Sequence, residues 1–407
     1  MKALEGKQIV LGLSGGVACY KSAQLCRLLV QAGARVRVVM TEAATQFMTP
    51  VTMQALSGEP VVLSQWDLRE PNAMAHINLG RWADAIVVAP ASADLIAQLA
   101  QGRASELLAL LCLARPAQRV PLLLAPAMNR EMWAHPATQR NVAQVQADGA
   151  QVLEVGQGEQ ACGEVGDGRM LEPEEIVEDV VAALTPKVLA GLHVVVTAGP
   201  TFEPIDPVRG ITNHSSGKMG FALARAAREA GATVTLIAGP VHLPTPRGVR
   251  RVDVQSAQQM YEAVMAAVDQ ASVFIAAAAV ADWRVAQVAE RKLKKDGSGQ
   301  PPSLTFVENP DILATVAALP RARSGQLYCV GFAAESHDLL AHAQAKRARK
   351  GVPLLVGNIG PATFGRDDIA LVLVDERQAI ELPPGPKVAL ARQLMVEIAQ
   401  RLRGGPA

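Results

Sequence analysis

The sequence predicts an α/β protein of two Rossmann-like domains, each built on a mainly parallel sheet. Three observations carry that expectation. Short apolar runs alternate with helical stretches along all 407 residues. The runs lack the every-second-residue alternation of a half-exposed strand, so they read as buried on both faces, as in a sheet covered by helices. The pattern halts at a connector marked by Pro186 and Gly191, then starts again. A chain of this length has room for two or three full cores.

In the first half the strands are "QIVLGL", "RVRVVM", "AIVVAP" and "VPLLLAP", separated by helical stretches such as "YKSAQLCRLLVQAG" and "SADLIAQLAQG". "EEIVEDVVAALTPKVLAG" closes that half as a helix interrupted by Pro186. "LHVVVTAGP" restarts a strand, followed by the helix "GFALARAAREAG" and the strand "TVTLIAGP"; "VFIAAAAV", "LYCVGFAAE" and "PLLVGNIG" supply further strand ends. "RKLKKDGSGQPPS" reads as an exposed loop. The halves repeat a type of fold and not a sequence.

Composition narrows the function. Half the residues are hydrophobic and 3% aromatic, so the cores are aliphatic. A net charge of +1 gives no footprint for nucleic acid or an acidic membrane surface. No apolar stretch reaches spanning length and no targeting pattern opens the chain. The five cysteines, Cys19, Cys26, Cys112, Cys162 and Cys329, are odd in number and lack paired metal spacing. A reduced, cytoplasmic protein without structural disulfides or a zinc site is expected.

Ligands of such sheets sit at the carboxyl ends of the strands. In "VLGLSGGVACYK", Ser14, Gly15 and Gly16 lie between strand and helix, where backbone N–H groups can hold a phosphate. The spacing is not the dinucleotide G-x-G-x-x-G. The second strand ends in Thr41, a hydroxyl that suits a phosphate better than a ribose diol, which tilts the reading to a mononucleotide. Ser92 reads as an N-cap and Asn129 in "APAMN" as a directional amide past a strand end. His76, one of seven histidines, reads either as a satisfied structural residue or as an acid/base. Cys162 lies in "EQACGEVGDGRM" among Gly156, Gly158, Gly163, Gly166 and Gly168: either a surface loop with an incidental thiol, or a flap that closes on a ligand.

Taken together, "SGGVACYK", the histidine of "HINLG", "PAMN" and "ACGEVGDGRM" resemble the homo-oligomeric flavin-containing cysteine decarboxylases, specifically phosphopantothenoylcysteine decarboxylase. The resemblance implies a flavodoxin-like domain over 1–189 that binds flavin mononucleotide (FMN) through Ser14, Gly15, Gly16, Thr41 and Ser92. It implies that FMN oxidises the substrate thiol to a thioaldehyde, which accepts the electrons released with CO2, and then reduces the resulting enethiol. His76 would be the general acid/base, Asn129 would hold the substrate carboxylate, and Cys162 would donate the last proton. "RASELLAL", with Ser105, Glu106 and Ala109, departs from the usual run there.

In the second half, "TAGPTFEPIDPVRGITNHSSGKMG" is the densest motif. It is no Walker loop: six residues separate Gly210 from Gly217, and Met219 follows Lys218. Asn213, His214, Ser215, Ser216 and Lys218 at a helix start still suit a phosphate or acyl phosphate. With "AAAAVADWR", the lysines Lys292, Lys294 and Lys295, "ENPDIL", "VGFAAE" and "AKRARKG", this half resembles phosphopantothenate–cysteine ligase over 190–407. Carried over, cytidine triphosphate (CTP) would be bound by Ala276, Ala277, Ala278, Asp282, Lys292, Pro310, Asp311, Ile312, Leu313, Phe332, Lys346 and Lys350. Asn213 would act on the acyl-cytidylate, and Mg2+ would neutralise pyrophosphate through ligands the sequence does not name. Phe202 and Gly210 replace residues that are usually polar and aromatic.

The whole chain thus resembles the fused bacterial enzymes of coenzyme A biosynthesis, acting on 4′-phosphopantothenate, cysteine and CTP. The resemblance implies flavin-domain trimers joined by ligase-domain dimers, up to a dodecamer. A flavin-binding regulatory subunit and an NAD-dependent oxidoreductase are the alternatives. The first is opposed by the presence of His76, Asn129 and Cys162, the second by the missing fingerprint.

Overall fold

The apolar runs form strands because each offers side chains to both faces of a sheet that helices cover. The computed structural model describes all residues except 1, 68, 70, 295–302, 336–338, 360–367 and 405–407, with backbone alone at 71, 334, 335, 339 and 359. The described chain divides into the units Met1–Thr185 and Pro186–Ala407.

In the first unit, β1 (Gln8–Leu13), β2 (Arg35–Met40), β3 (Ala85–Ala91), β4 (Leu122–Pro126) and β5 (Gln151–Val152) form a parallel sheet. Its order is β2-β1-β3-β4-β5, the flavodoxin-like arrangement. Ile9, Leu11, Val36, Val38, Val87 and Leu123 bury one face with the helices Cys19–Gln31 and Pro173–Leu184. Val10, Val39, Ile86, Val88 and Leu124 bury the other with the helices Ala75–Trp82 and Leu107–Ala114. Neither face is free to carry polar residues, which is why the runs do not alternate.

The glycine-rich stretch is more regular than a loop. β6 (Gly156–Glu159) and β7 (Val165–Arg169) pair antiparallel, with residues 160–164 as the tip. Glycine is needed where the hairpin meets its support. Gly168 has φ +118°, and a Cβ there would lie 2.5 Å from the Met128 carbonyl oxygen. The Met128 amide donates to the Gly168 carbonyl at 2.9 Å, fixing β7 beside the exit of β4.

The second unit contains β8 (His193–Ala198), β9 (Phe202–Pro204), β10 (Gly210–Thr212), β11 (Thr233–Ala238), β12 (Arg250–Asp253) and β13 (Val273–Ala276). They are followed by β14 (Trp283–Val285), β15 (Phe306–Glu308), β16 (Tyr328–Glu335), β17 (Leu354–Ile359), β18 (Asp368–Val374) and β19 (Ala379–Pro386). The main sheet runs β12-β11-β8-β13-β16-β17-β18-β19. Its first six strands are parallel, in the Rossmann order, and the last two are antiparallel. β9–β10 and β14–β15 are separate hairpins. The helices Lys218–Glu229 and Lys387–Leu402 are joined by a buried carboxylate: Glu229 accepts from Arg225 at 2.9 Å and from Arg392 at 2.6 and 2.9 Å. Paired on both sides, that charge is tolerated in an otherwise aliphatic contact. Most of the loop expected over 291–303, Lys295 included, lies outside the described residues.

Candidate active sites

Both sheets reverse their strand order beside the first strand, β1 against β3 and β8 against β13, and each reversal opens a crevice at the carboxyl ends. At the first, Ser14 immediately follows β1. Its hydroxyl donates to the Pro90 carbonyl at 2.8 Å and accepts from the Ser92 amide at 2.8 Å, tying β1 to β3. A Cβ on Gly15 would sit 2.6 Å from that of Ala43, so glycine is required where residues 42–45 pass. Gly15, Gly16 and Ser92 line a cavity of about 410 Å³, and Ser92 also caps the helix Ala93–Ala100 by accepting from Leu95 N. Val17, Ala18, Ala93, Ala127, Met128, Met132 and Met170 make the walls largely apolar.

Asn129 also lines this cavity. It caps the helix Arg130–Ala134: Oδ1 accepts from Glu131 N at 2.8 Å and Met132 N at 3.3 Å. With the oxygen spent, the NH2 group is the end presented to the hairpin tip, where it donates to a Glu164 carboxylate oxygen and lies 3.6 Å from Cys162 Sγ. Gln160 fastens the tip: Oε1 accepts from Arg130 N at 3.0 Å, and Nε2 donates to Asp167 O at 3.0 Å. Lys21 holds the hairpin's root, its buried ammonium donating to Met170 O at 3.1 Å and to Glu172 at 2.7 Å. Cys162 therefore belongs to a hairpin docked by specific bonds against Asn129.

Two residues expected in this site are placed apart from that cavity. Thr41 is buried and spends its oxygen accepting from Ala44 N at 3.1 Å, capping residues 42–45. His76 opens the helix Ala75–Trp82, and its Nδ1 is buried with no hydrogen-bond partner among the described residues. Sequence reasoning passed over Gln160, Glu164 and Lys21. A carboxylate two residues from a cysteine carries no sequence signal of its own; only the bend of the tip brings it to Asn129.

At the second crevice, a cavity of about 410 Å³ is lined by ten of the twelve residues expected to hold the nucleotide, all but Ala277 and Lys292. Thr197 on β8 also lines it, and its hydroxyl accepts from Ala278 N at 3.2 Å. Lys346 donates to Phe332 O at 3.3 Å. Lys350 pairs with Asp311, which also caps the helix Ile312–Ala317 by accepting from Ala314 N at 3.0 Å. Burial raises the Asp311 carboxyl, but these two partners prevail and hold it below its usual range. The cavity thus combines small residues with two lysines and the carboxylates of Asp282, Glu308 and Asp311, a lining that can take a phosphate group and a cation together.

Asn213 lies in a neighbouring cavity of about 480 Å³ with Phe202, Thr212, His214, Ser215 and Gln255. Its Oδ1 accepts from Ser215 N at 2.9 Å, and its Nδ2 donates to Ala279 O, in the loop whose neighbours Ala278 and Val280 line the cavity at the second crevice. Asp206, missed in the sequence, organises the approach. Buried, it accepts from Val208 N and Arg209 N at 2.8 Å and from Leu293 N at 3.1 Å, linking "DPVRG" to the stretch that carries the exposed Lys292 and Lys294. The Arg209 guanidinium, with those amides, holds its carboxyl well below the usual carboxylate range. Phe202 and Gly210 are one feature: a Cβ on Gly210 would lie 2.3 Å from the Phe202 ring. The ring occupies the room a side chain at 210 would need.

Among the described residues, no three His, Cys, Asp or Glu side chains are gathered as a metal site, and no helix is long and apolar enough to cross a membrane.

Comparison with known proteins gives the class. The Flavoprotein family matches residues 1–185, and the DNA/pantothenate metabolism flavoprotein C-terminal domain matches 189–402. The chain is a flavoprotein unit followed by a pantothenate-metabolism unit. It is 49% identical over 405 residues to the coenzyme A biosynthesis bifunctional protein CoaBC of Vibrio cholerae, covering 99% of this chain and all of that one. It is 48% identical over 404 residues to the Escherichia coli protein of that name (98% of each chain) and 42% over 404 to that of Bacillus subtilis (97% of each). This chain belongs to the CoaBC family of bifunctional coenzyme A biosynthesis enzymes, which join a decarboxylase to a ligase.

Burial pushes the thiols of Cys19 and Cys26 up to about 11 and those of Cys112 and Cys329 up to about 12, while Cys162 is exposed. At pH 8, iodoacetamide should label the native chain at Cys162 alone and the denatured chain at all five cysteines. Fast native labelling at a second cysteine would contradict the packing. Separately, Gly210→Phe should lower unfolding stability by roughly 1–3 kcal/mol. Adding Phe202→Ala should recover much of that loss, whereas strictly additive losses would separate the two positions.

Proposed function

We propose that the C-terminal unit condenses 4′-phosphopantothenate with cysteine at the expense of CTP, and that the N-terminal unit, with FMN, decarboxylates the 4′-phosphopantothenoylcysteine formed. The observation that carries this reading is the pair of crevices. One presents the Asn129 amide, its oxygen fixed, beside the Cys162 thiol, and the other gathers ten residues from four separate stretches expected to hold CTP.

In the first unit, the apolar walls suit the rings of FMN, and the Gly15–Gly16 backbone with Ser92 suits its phosphate. Bound there, FMN would supply the two-electron oxidation and reduction that loss of CO2 from a cysteine requires. Asn129 Nδ2 holds the substrate carboxylate, since its oxygen is pinned and only its N–H groups face the ligand. Cys162 delivers a proton from the hairpin tip at the last step. His76 stands apart from this cavity, so it would move the other proton in the site of a neighbouring copy of the homo-oligomer; its unpartnered Nδ1 supports a working role over a structural one.

In the second unit, Lys346 and Lys350 neutralise the triphosphate, and Asp282 and Glu308 of the same cavity would help to hold Mg2+, which would supply further neutralisation of the phosphate charge. CTP attack by the carboxylate gives an acyl-cytidylate and pyrophosphate. Asn213, already oriented by Ser215 N, steadies the acyl group when the amine of cysteine attacks. The enzyme acts in the cytoplasm as a homo-oligomer of flavin-unit trimers joined by dimers of the second unit.

The test combines cofactor and nucleotide. Denaturing the purified protein should release FMN, and pyrophosphate release with 4′-phosphopantothenate and cysteine should run far faster with CTP than with ATP. Bound NAD, no chromophore, or equal rates with the two nucleotides would contradict the reading.

A further inference from the structure

The hairpin tip places a carboxylate of its own where the substrate's is needed. Asn129 commits its oxygen to Glu131 N and Met132 N, so its NH2 group has two N–H bonds to offer the cavity. One goes to Glu164 Oε2, while Cys162 Sγ lies 3.6 Å from the same nitrogen and 3.7 Å from the same carboxylate oxygen. Glu164 is otherwise an exposed residue at the turn, with the Arg130 guanidinium nearby, and its backbone carbonyl closes the hairpin by accepting from Gln160 N at 2.8 Å. Carboxylate on carboxamide N–H is also the pairing proposed for the substrate.

We propose that Glu164 is a placeholder for the substrate carboxylate, an inference that rests on the decarboxylase reading above. Without substrate it keeps Asn129 in its working rotamer and seats the tip with Cys162 beside it. The substrate carboxylate must displace it, because two anions drawn to one amide repel each other in a partly desolvated cavity. Once CO2 is lost the amide is open again and Glu164 returns. A ligand without a carboxylate, such as the product 4′-phosphopantetheine, leaves Glu164 in place. The enzyme thereby senses the group it removes, and Glu164 sets specificity without touching the reacting atoms.

The test uses the flavin-loaded full chain and the variants Glu164→Gln and Glu164→Ala. Removing the competing charge should lower the KM for 4′-phosphopantothenoylcysteine on the order of fivefold, the worth of about one hydrogen bond. The inhibition constant of 4′-phosphopantetheine should move less than about twofold, since a bond to an absent carboxylate is worth nothing to it. An unchanged or raised substrate KM overturns the placeholder, and so does an equal shift for both ligands, which would mean only that the tip has loosened. A parent enzyme that releases no CO2 from 4′-phosphopantothenoylcysteine would overturn the decarboxylase reading, and this proposal with it.

Discussion

A buried hydroxyl at the reversal point of each sheet holds together the two strand ends on which the sites stand. Ser14 bridges β1 to β3 through Pro90 O and Ser92 N. Thr197 on β8 and Thr201 just beyond it do the same toward the segment that leaves β13, accepting from Ala278 N at 3.2 Å and Ala281 N at 3.0 Å. The chain segments that leave these neighbouring strands for opposite faces of the sheet would otherwise leave unsatisfied amides at the crevice. Satisfying those amides from within the sheet keeps the crevice open and its rim rigid. Everything else at the sites is added to that rim.

The same economy governs the two asparagines. Each has its amide oxygen fixed by the backbone N–H two residues on, Glu131 N for Asn129 and Ser215 N for Asn213. That Asx-type bond decides which end of the side chain faces outward. In both cases it is the donor end, aimed at Glu164 and Cys162 in one unit and at Ala279 O in the other. An aspartate would keep the turn and lose the donor, which explains why an amide suits these positions.

Most of the fold could be read from the sequence, since aliphatic runs without alternation leave little choice but doubly covered parallel strands. The antiparallel β18 and β19 extend that sheet beyond what the runs implied, because strand direction is set by connections and not by the runs themselves. The glycine-rich stretch was ambiguous for a physical reason: Gly158 and Gly168 take positive φ inside a hairpin, a conformation that looks like loop composition. Motif residues on strand ends, from Ala276 to Phe332, were legible because the topology alone brings them together. Glu164, Gln160 and Asp206 were not, since each acts through a turn whose geometry the residue types do not announce. Phe202 and Gly210 each looked odd alone. The structure makes them a compensating pair, one ring filling the room left by the other position.

In the reading proposed above, the product of the second unit becomes the substrate of the first. The most direct measurement is stoichiometry. The purified protein is supplied with 4′-phosphopantothenate, CTP, Mg2+ and cysteine labelled at its carboxyl carbon, and released CO2 is counted against pyrophosphate. The account predicts that the two accumulate one for one, after a lag while the intermediate builds up. Steady pyrophosphate release without labelled CO2 would contradict it, leaving a ligase attached to a unit that does not decarboxylate.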